Sequence, residues 1–209
     1  MRFSHLLQSN GGYTSCFQVS RFTQIIFMLV KDINLSRVIG KFLFFLTQSA
    51  IWFLLIYGDF SHLDVHSTDW FGTDNLTSYI AQLFYLSDQW RVPILSNPHY
   101  GGVLTSSLTF TGPSPILMLF QKALFIPSEF QLFGYWILFN IFLQLIFGYL
   151  LLREFGVSKI YSYATCGFFV TTFFIFRIYM HFWLISHYLI LWAFIYFCLL
   201  YTSDAADEG

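Results

Sequence analysis

Long apolar stretches alternate with one long polar segment along this chain, and their lengths predict membrane-spanning helices. Three stretches approach or exceed the roughly 20 apolar residues that a helix needs to cross the hydrocarbon core; they are 39–57, 131–152 and 160–179. A fourth begins near Trp183. A further run, 22–30, is too short to span and is expected to lie on the membrane surface. The pattern therefore predicts an all-α polytopic membrane protein.

The polar segment between the first two spans, residues 58–112, is expected to build structure outside the bilayer. Its residues 74–90 follow a helical period, with Leu76, Ile80 and Leu83 on an apolar face and Ser78 and Gln82 opposite. Thr73 or Asp74 is suited to cap this helix, because a side-chain oxygen can accept a free backbone N–H.

A second short helix is predicted to begin at Ser114–Pro115 and to end before Pro127. Its length of about 18 Å is less than a bilayer, so it is expected to lie in the outer interface. Both predicted helices belong to an outer loop of about 58–130.

Composition and charge agree with a membrane protein and orient it. The chain is 56% hydrophobic with 28 phenylalanines, which is too apolar for a soluble domain of this length. Lysine and arginine concentrate before the first span and again in 153–159, and positive charge is retained on the cytoplasmic side. The N-terminus is therefore predicted to be cytoplasmic and the polar loop extracytoplasmic.

The end of the chain, residues 198–209, resembles the conceptual translation of a sequencing adapter and is expected to be an artefact. The predicted organisation is therefore a cytoplasmic or interfacial segment 1–38, a transmembrane domain 39–197 that is the N-terminal part of a longer protein, and the tail 198–209.

Scattered residues between about 55 and 197 resemble a bacterial integral-membrane family of unassigned function that is placed beside the GT-C glycosyltransferases. They are Thr68-Asp69-Trp70, Asp74, Trp90-Arg91-Val92-Pro93, Asn97-Pro98-His99-Tyr100-Gly101, Ser106-Ser107, Pro115, Phe130-Gln131, Gly134, Trp136, Gln144, Gly148-Tyr149-Leu150, Arg177, His181 and His187. The chain departs from that pattern at Ser78 and Gly112, where a histidine and an acidic residue are expected.

The resemblance implies a bacterial inner membrane as the location, and transfer of a sugar from a polyprenyl-phosphate donor to an extracytoplasmic cell-envelope acceptor. It makes Asp74 the catalytic base and Asp69 its assistant. Asp74 equally has a purely structural interpretation, as a residue that stabilises a helix N-terminus.

On the donor side, Arg177 is expected to hold the phosphate, because its guanidinium fork can bind two oxygens. His181, His187 and Tyr100 are expected to shape the substrate pocket. The alternative for Arg177 is an interfacial anchor, and packing is the alternative for Tyr100.

No dedicated metal site is predicted. His62, His66, Asp64 and Asp69 carry suitable ligand atoms, but the two histidines lie in predicted coil, so a divalent cation remains only a possible cofactor. Two other classes stay open for the whole protein: a transporter or flippase of lipid-linked intermediates, and a non-catalytic envelope scaffold. Nothing in the sequence indicates nucleic-acid binding.

Overall fold

The computed structural model describes residues 35–90, 92–97, 106–107, 115–172 and 185–207. The short apolar run predicted at 22–30 lies outside these residues. The chain divides into two units, Met1–Phe44 and Phe45–Gly209, and every contact given below lies within the second. The described part is mostly helical.

Seven α-helices and one short ladder make up the described elements. The helices are α1 (Leu35–Tyr57), α2 (Thr73–Ser87), α3 (Pro115–Ala123), α4 (Phe133–Glu154), α5 (Lys159–Thr165), α6 (Phe168–Thr172) and α7 (Tyr188–Asp207). A 3-10 turn covers Ser61–Leu63. Strands β1 (Ser96–Asn97) and β2 (Ser106–Ser107) pair antiparallel, with Ser96 opposite Ser107. The ladder was not predicted.

Two helices among the described residues are long and apolar enough to cross a membrane, Val38–Tyr57 within α1 and the whole of α4. The first two predicted spans are thus confirmed as helices of sufficient length. Helix α4 is central, since it contacts α5, α6, α7 and the 3-10 turn. The core between these elements is apolar and includes the fully buried Phe53, Phe133, Ile137 and Ile141.

The third predicted span, 160–179, is described only as far as residue 172, and within that part a turn at Cys166–Gly167 separates α5 from α6. There the backbone N–H groups of Phe169 and Val170 bond to carbonyls three residues back, at 3.2 and 2.9 Å. The Nε2 of Gln144 on α4 donates to the carbonyl of Phe169 at 3.1 Å. A buried amide thus serves the backbone beside the break, as apolar surroundings require. Residues 173–184 lie outside the described part, and the apolar portion of α7, Tyr188–Cys198, is shorter than a span.

The amphipathic helix exists as predicted, but its buried face carries polar as well as apolar residues. Ser78 and Gln82 are buried, whereas Leu76, Ile80 and Phe84 remain 41–44% exposed. The buried face meets α3 and β1 through polar groups and through the packing of Tyr85 on Met118. The expected cap is also wrong, because Gly72 occupies the N-cap position and Asp74 is the second residue of the helix.

Helix α3 begins at Pro115 as predicted and ends at Ala123, earlier than expected. The chain then turns through Phe125, whose φ is 55°.

Candidate functional site: the loop that follows the first helix

Residues 58–72 are fixed against the N-terminus of α4 by the side chain of Gln131. This amide is fully buried. Its Nε2 donates to the carbonyls of His62, at 3.1 Å, and Asp64, while its Oε1 accepts the N–H of Phe133 at 3.0 Å. Its own backbone N–H bonds to the carbonyl of Val65 at 2.8 Å. One side chain therefore satisfies loop carbonyls and a helix N-terminus together, which a buried amide must do to avoid a desolvation cost.

The loop approaches α4 so closely that only glycine fits at position 134. A Cβ built on Gly134 would lie 2.0 Å from the carbonyl oxygen of His62. Contact with a backbone atom cannot be relieved by a side-chain rotation. Gln131 and Gly134, two of the residues that carry the family resemblance, thus hold the loop in place.

The side chains of Asp59, Ser61 and His62 are linked by polar contacts at the start of this loop. The Ser61 hydroxyl donates to Oδ1 of Asp59 at 2.5 Å, and the Ser61 backbone N–H donates to the same oxygen at 2.8 Å. The Nδ1 of His62 lies 3.3 Å from the Ser61 hydroxyl oxygen and 3.7 Å from the Asp59 carboxylate.

Aromatic rings surround the imidazole of His62. Its ring centroid lies 4.3 Å from that of Tyr57 and 4.7 Å from that of Trp70. Burial by these neighbours lowers the pKa of His62 below the usual 6.5, and the Asp59 carboxylate opposes that effect only partly. The hydrogen bonds from Ser61 lower the pKa of the Asp59 carboxyl. At neutral pH the pair is therefore a neutral imidazole beside a carboxylate.

The two predicted catalytic carboxylates lie on either side of Gly72. Asp69 is exposed in the turn at 69–70, and Asp74 lies in the first turn of α2. The side chain of Asp74 lies outside the described part, so its role as base stays a prediction.

Of the predicted donor-side residues, Arg177, His181 and Tyr100 lie outside the described residues. His187 is half-buried just before α7. The hydroxyl of its neighbour Ser186 donates to Oδ1 of Asn140, a fully buried residue of α4, at 3.0 Å. His187 is thus held beside α4, and its convergence with Arg177 and His181 stays a prediction.

Within the described part of the chain, no group of three or more histidine, cysteine, aspartate or glutamate residues is arranged to hold a metal ion. His66, which was considered with His62 as a ligand, packs its ring edge-on against Phe130 at 5.0 Å.

Helices α2 and α3 meet through polar side chains. The Nε2 of Gln82 donates to Oε1 of Gln121 at 2.9 Å, and Gln121 donates in turn to the carbonyls of Pro127 and Phe130. The ammonium of Lys122 donates to the carbonyl of Tyr85 at 2.8 Å, near the C-terminus of α2, where the helix dipole favours a cation. Ser78, where the resemblance led us to expect a histidine, is buried on the inner face of α2.

The fold and this site define a largely helical protein with two helices that could cross a membrane and a polar loop fixed to the start of the second. The chain belongs to the family described as "Domain of unknown function (DUF6311)", whose profile matches residues 45–207. No curated protein matches the chain. No solved structure matches it either.

The sequence interpretation missed the Asp59–Ser61–His62 group as a unit. The available signal was an Asp-x-Ser-His order directly after the end of an apolar stretch, since aspartate and serine readily form such local turns. Periodicity could not show that His62 would face Tyr57 and Trp70.

Proposed function

We propose that this protein is a membrane glycosyltransferase that moves a sugar from a polyprenyl-phosphate donor to an extracytoplasmic cell-envelope acceptor. The observation that carries the proposal is the placement of the 58–72 loop. Asp59, Ser61 and His62 follow a helix long enough to span, and Gln131 and Gly134 fix the backbone of His62 against the next such helix. Chemistry on a lipid-linked substrate needs polar groups fixed at such a boundary.

In this mechanism Asp74 accepts the proton of the acceptor hydroxyl, and Asp69 assists. The acceptor oxygen forms a bond to the anomeric carbon as the bond from that carbon to the phosphate oxygen breaks. The phosphate leaves with the bonding electrons, and Arg177 holds it with His181 and His187 beside it. A carboxylate in the first turn of a helix is suited to this role because it remains ionised at neutral pH.

The test uses membranes that carry the full-length protein and a panel of radiolabelled polyprenyl-phosphate sugars. We expect wild-type protein to consume one donor and Asp74→Asn to lower turnover by roughly 10²- to 10⁴-fold, the usual contribution of a general base. Asp88→Asn, at the opposite end of α2, is the matched control and should retain turnover.

Turnover that survives in Asp74→Asn would remove Asp74 from the mechanism while leaving the activity itself in place. If wild-type protein consumes none of the donors in the panel, the proposed glycosyltransferase activity is contradicted. That result would favour one of the two alternatives, a transporter or a scaffold.

A transporter of lipid-linked intermediates is the second candidate, and the break at Cys166–Gly167 favours it. Interrupted helices with satisfied backbone groups line the pathways of many transporters. Movement of an unaltered lipid-linked sugar across proteoliposomes, without its consumption, would distinguish this function from sugar transfer.

A further inference from the structure

The Asp59–Ser61–His62 group fixes the tautomer of His62. The Ser61 hydroxyl has a single proton, and it is donated to Asp59 at 2.5 Å. The contact of 3.3 Å between Ser61 Oγ and His62 Nδ1 is then a hydrogen bond only if Nδ1 carries the imidazole proton. In the neutral ring this leaves Nε2 with a lone pair.

That lone pair is available to a ligand. The side chain of His62 is 17% exposed. Within the described residues Nε2 makes no hydrogen bond. A fully buried nitrogen without a partner would stand among the unpaired buried atoms of this part of the chain, and Nε2 does not, so it reaches the surface. The Asp59 carboxylate beside it is 66% exposed. Both groups accept hydrogen bonds, so their natural ligand brings O–H or N–H donors.

The neighbouring rings add an apolar element to this surface. Tyr57 and Trp70 both contact His62 and also meet each other edge-on, with their centroids 6.1 Å apart, and both are half-buried. The indole N–H of Trp70 already bonds to the Ser67 carbonyl, so the ring offers carbon surface rather than a donor. A sugar ring has both matching features, because it carries hydroxyl groups that donate hydrogen bonds and a face made of carbon atoms.

We propose that His62, with Asp59 and Ser61 positioning it and Trp70 flanking it, forms a binding site for a neutral hydroxyl-bearing sugar. One hydroxyl of the sugar donates to Nε2 of His62, and its carbon face lies against the aromatic rings. The identity of this sugar as the acceptor rests on the proposed function, but its binding does not.

Binding of this kind is lost in acid. Protonation turns Nε2 from an acceptor into a donor, and it occurs below the usual pH 6.5 because burial lowers the pKa of His62. The titratable groups beside the imidazole are Asp59 and Tyr57. The start of α4 meets the backbone of His62 through Gln131 and Gly134, which carry no charge.

The first test needs no turnover. The full chain labelled with ¹⁵N-histidine is titrated with methyl glycosides of glucose, galactose, mannose and N-acetylglucosamine, and separately with tetramethylammonium. His62→Gln identifies the His62 signal by its loss. We expect the Nδ1–H tautomer in the free protein, and an Nε2 shift with at least one glycoside that disappears as the pH falls below 6.5. Ser61→Ala should remove the preference of His62 for the Nδ1–H tautomer.

An Nε2–H tautomer in wild-type protein would overturn the inference. A response to tetramethylammonium alone would replace the sugar site by a cation site, and a response to neither probe would remove the site altogether.

The second test is kinetic and uses the acceptor from the turnover assay. His62→Phe should raise KM for the acceptor about three- to tenfold, the size of one hydrogen bond, with kcat and the donor KM little changed. His62→Gln should recover part of this loss, because its amide oxygen can also accept.

His66→Phe is the matched control. His66 follows a similar local turn, in which its backbone N–H donates to Asp64 at 3.0 Å, but its ring packs on Phe130 instead. An equal rise in acceptor KM for His66→Phe would contradict the proposed site. Absence of turnover in wild-type protein would contradict the proposed function and leave the binding titration to decide this inference.

Discussion

The helices around α4 and the pair α2–α3 differ in how much of their buried contact is polar. Around α4 the buried surface is apolar, and the buried amides Asn140 and Gln144 bond to neighbouring segments. Between α2 and α3 the fully buried Gln82 donates to Gln121 beside the packing of Tyr85 on Met118, while Leu76, Ile80 and Phe84 remain exposed.

The difference teaches that helical periodicity identifies a helix and its two faces but does not say which face is inside. A helix in water hides its apolar face. A helix beside lipid can expose that face and bury the polar one, because polar groups in apolar surroundings need partners. We therefore expect the exposed Leu76, Ile80 and Phe84 of α2 to face lipid.

The contact between the loop and α4 should be the most sensitive point of the molecule. Gly134→Ala places a Cβ against the carbonyl of His62, so the loop must move away from the helix. We expect a loss of about 3 kcal/mol or more in the free energy of unfolding, at the upper end for overpacking. Thermal unfolding in detergent micelles measures this change.

Gly40→Ala is the matched control in α1, because no atom of the described residues lies within 4 Å of a Cβ built there. It should leave stability unchanged or raise it by about 0.5–1 kcal/mol, since alanine is the better helix former. Equal effects at the two glycines would mean that the close approach at Gly134 does not hold the loop.

The polar contact between α2 and α3 should give an intermediate effect. Gln121→Leu removes three hydrogen bonds. Gln82→Leu removes one and leaves Oε1 of Gln121 without the donor it has in the wild-type protein. We expect costs of about 1–3 kcal/mol, larger for Gln121, and a coupling of at least about 0.5 kcal/mol in the double mutant. Denaturant unfolding of the four proteins measures the cycle.

The exposed Gln89, two residues after the end of α2, supplies the control. Gln89→Leu should be nearly silent. Strict additivity of the Gln82 and Gln121 substitutions would show that the two amides do not interact.

Sequence reasoning located the helices better than it located the site. The two long spans and the starts of α2 and α3 follow from apolar length, periodicity and Pro115, which are local properties. The break at Cys166–Gly167 was missed because its stabilising group, Gln144, comes from another helix. The β1–β2 ladder was missed because two-residue strands carry no periodic signal.

The candidate site shows the same division. Asp69 and Asp74 were selected from a resemblance and a local helix signal. The Asp59–Ser61–His62 group depends on contacts with Tyr57 and Trp70 and on a loop that Gln131 fixes from 69 residues away. Such contacts cannot be deduced from spacing in one sequence.

The smallest expected effect on stability, and the most direct test of the comparison, concerns the apolar ridge Leu76, Ile80 and Phe84. Because these side chains are exposed, Ile80→Ser should change the free energy of unfolding in detergent by no more than about 0.5 kcal/mol. The informative quantity is whether this ridge contacts lipid or water when the protein is in a bilayer. A spin label at Phe84→Cys should be relaxed more by lipid-soluble oxygen than by a water-soluble nickel chelate.

Glu129→Cys, in the exposed turn before α4, is the reference position and should show the reverse preference. Both labels are placed in a background with Cys16 and Cys198 changed to serine, and Cys166 is buried and out of reach. A label at position 84 that prefers the nickel chelate would place α2 in water. A label shielded from both reagents would mean that a protein surface covers the ridge. Only preference for oxygen agrees with lipid contact at the exposed apolar ridge of α2.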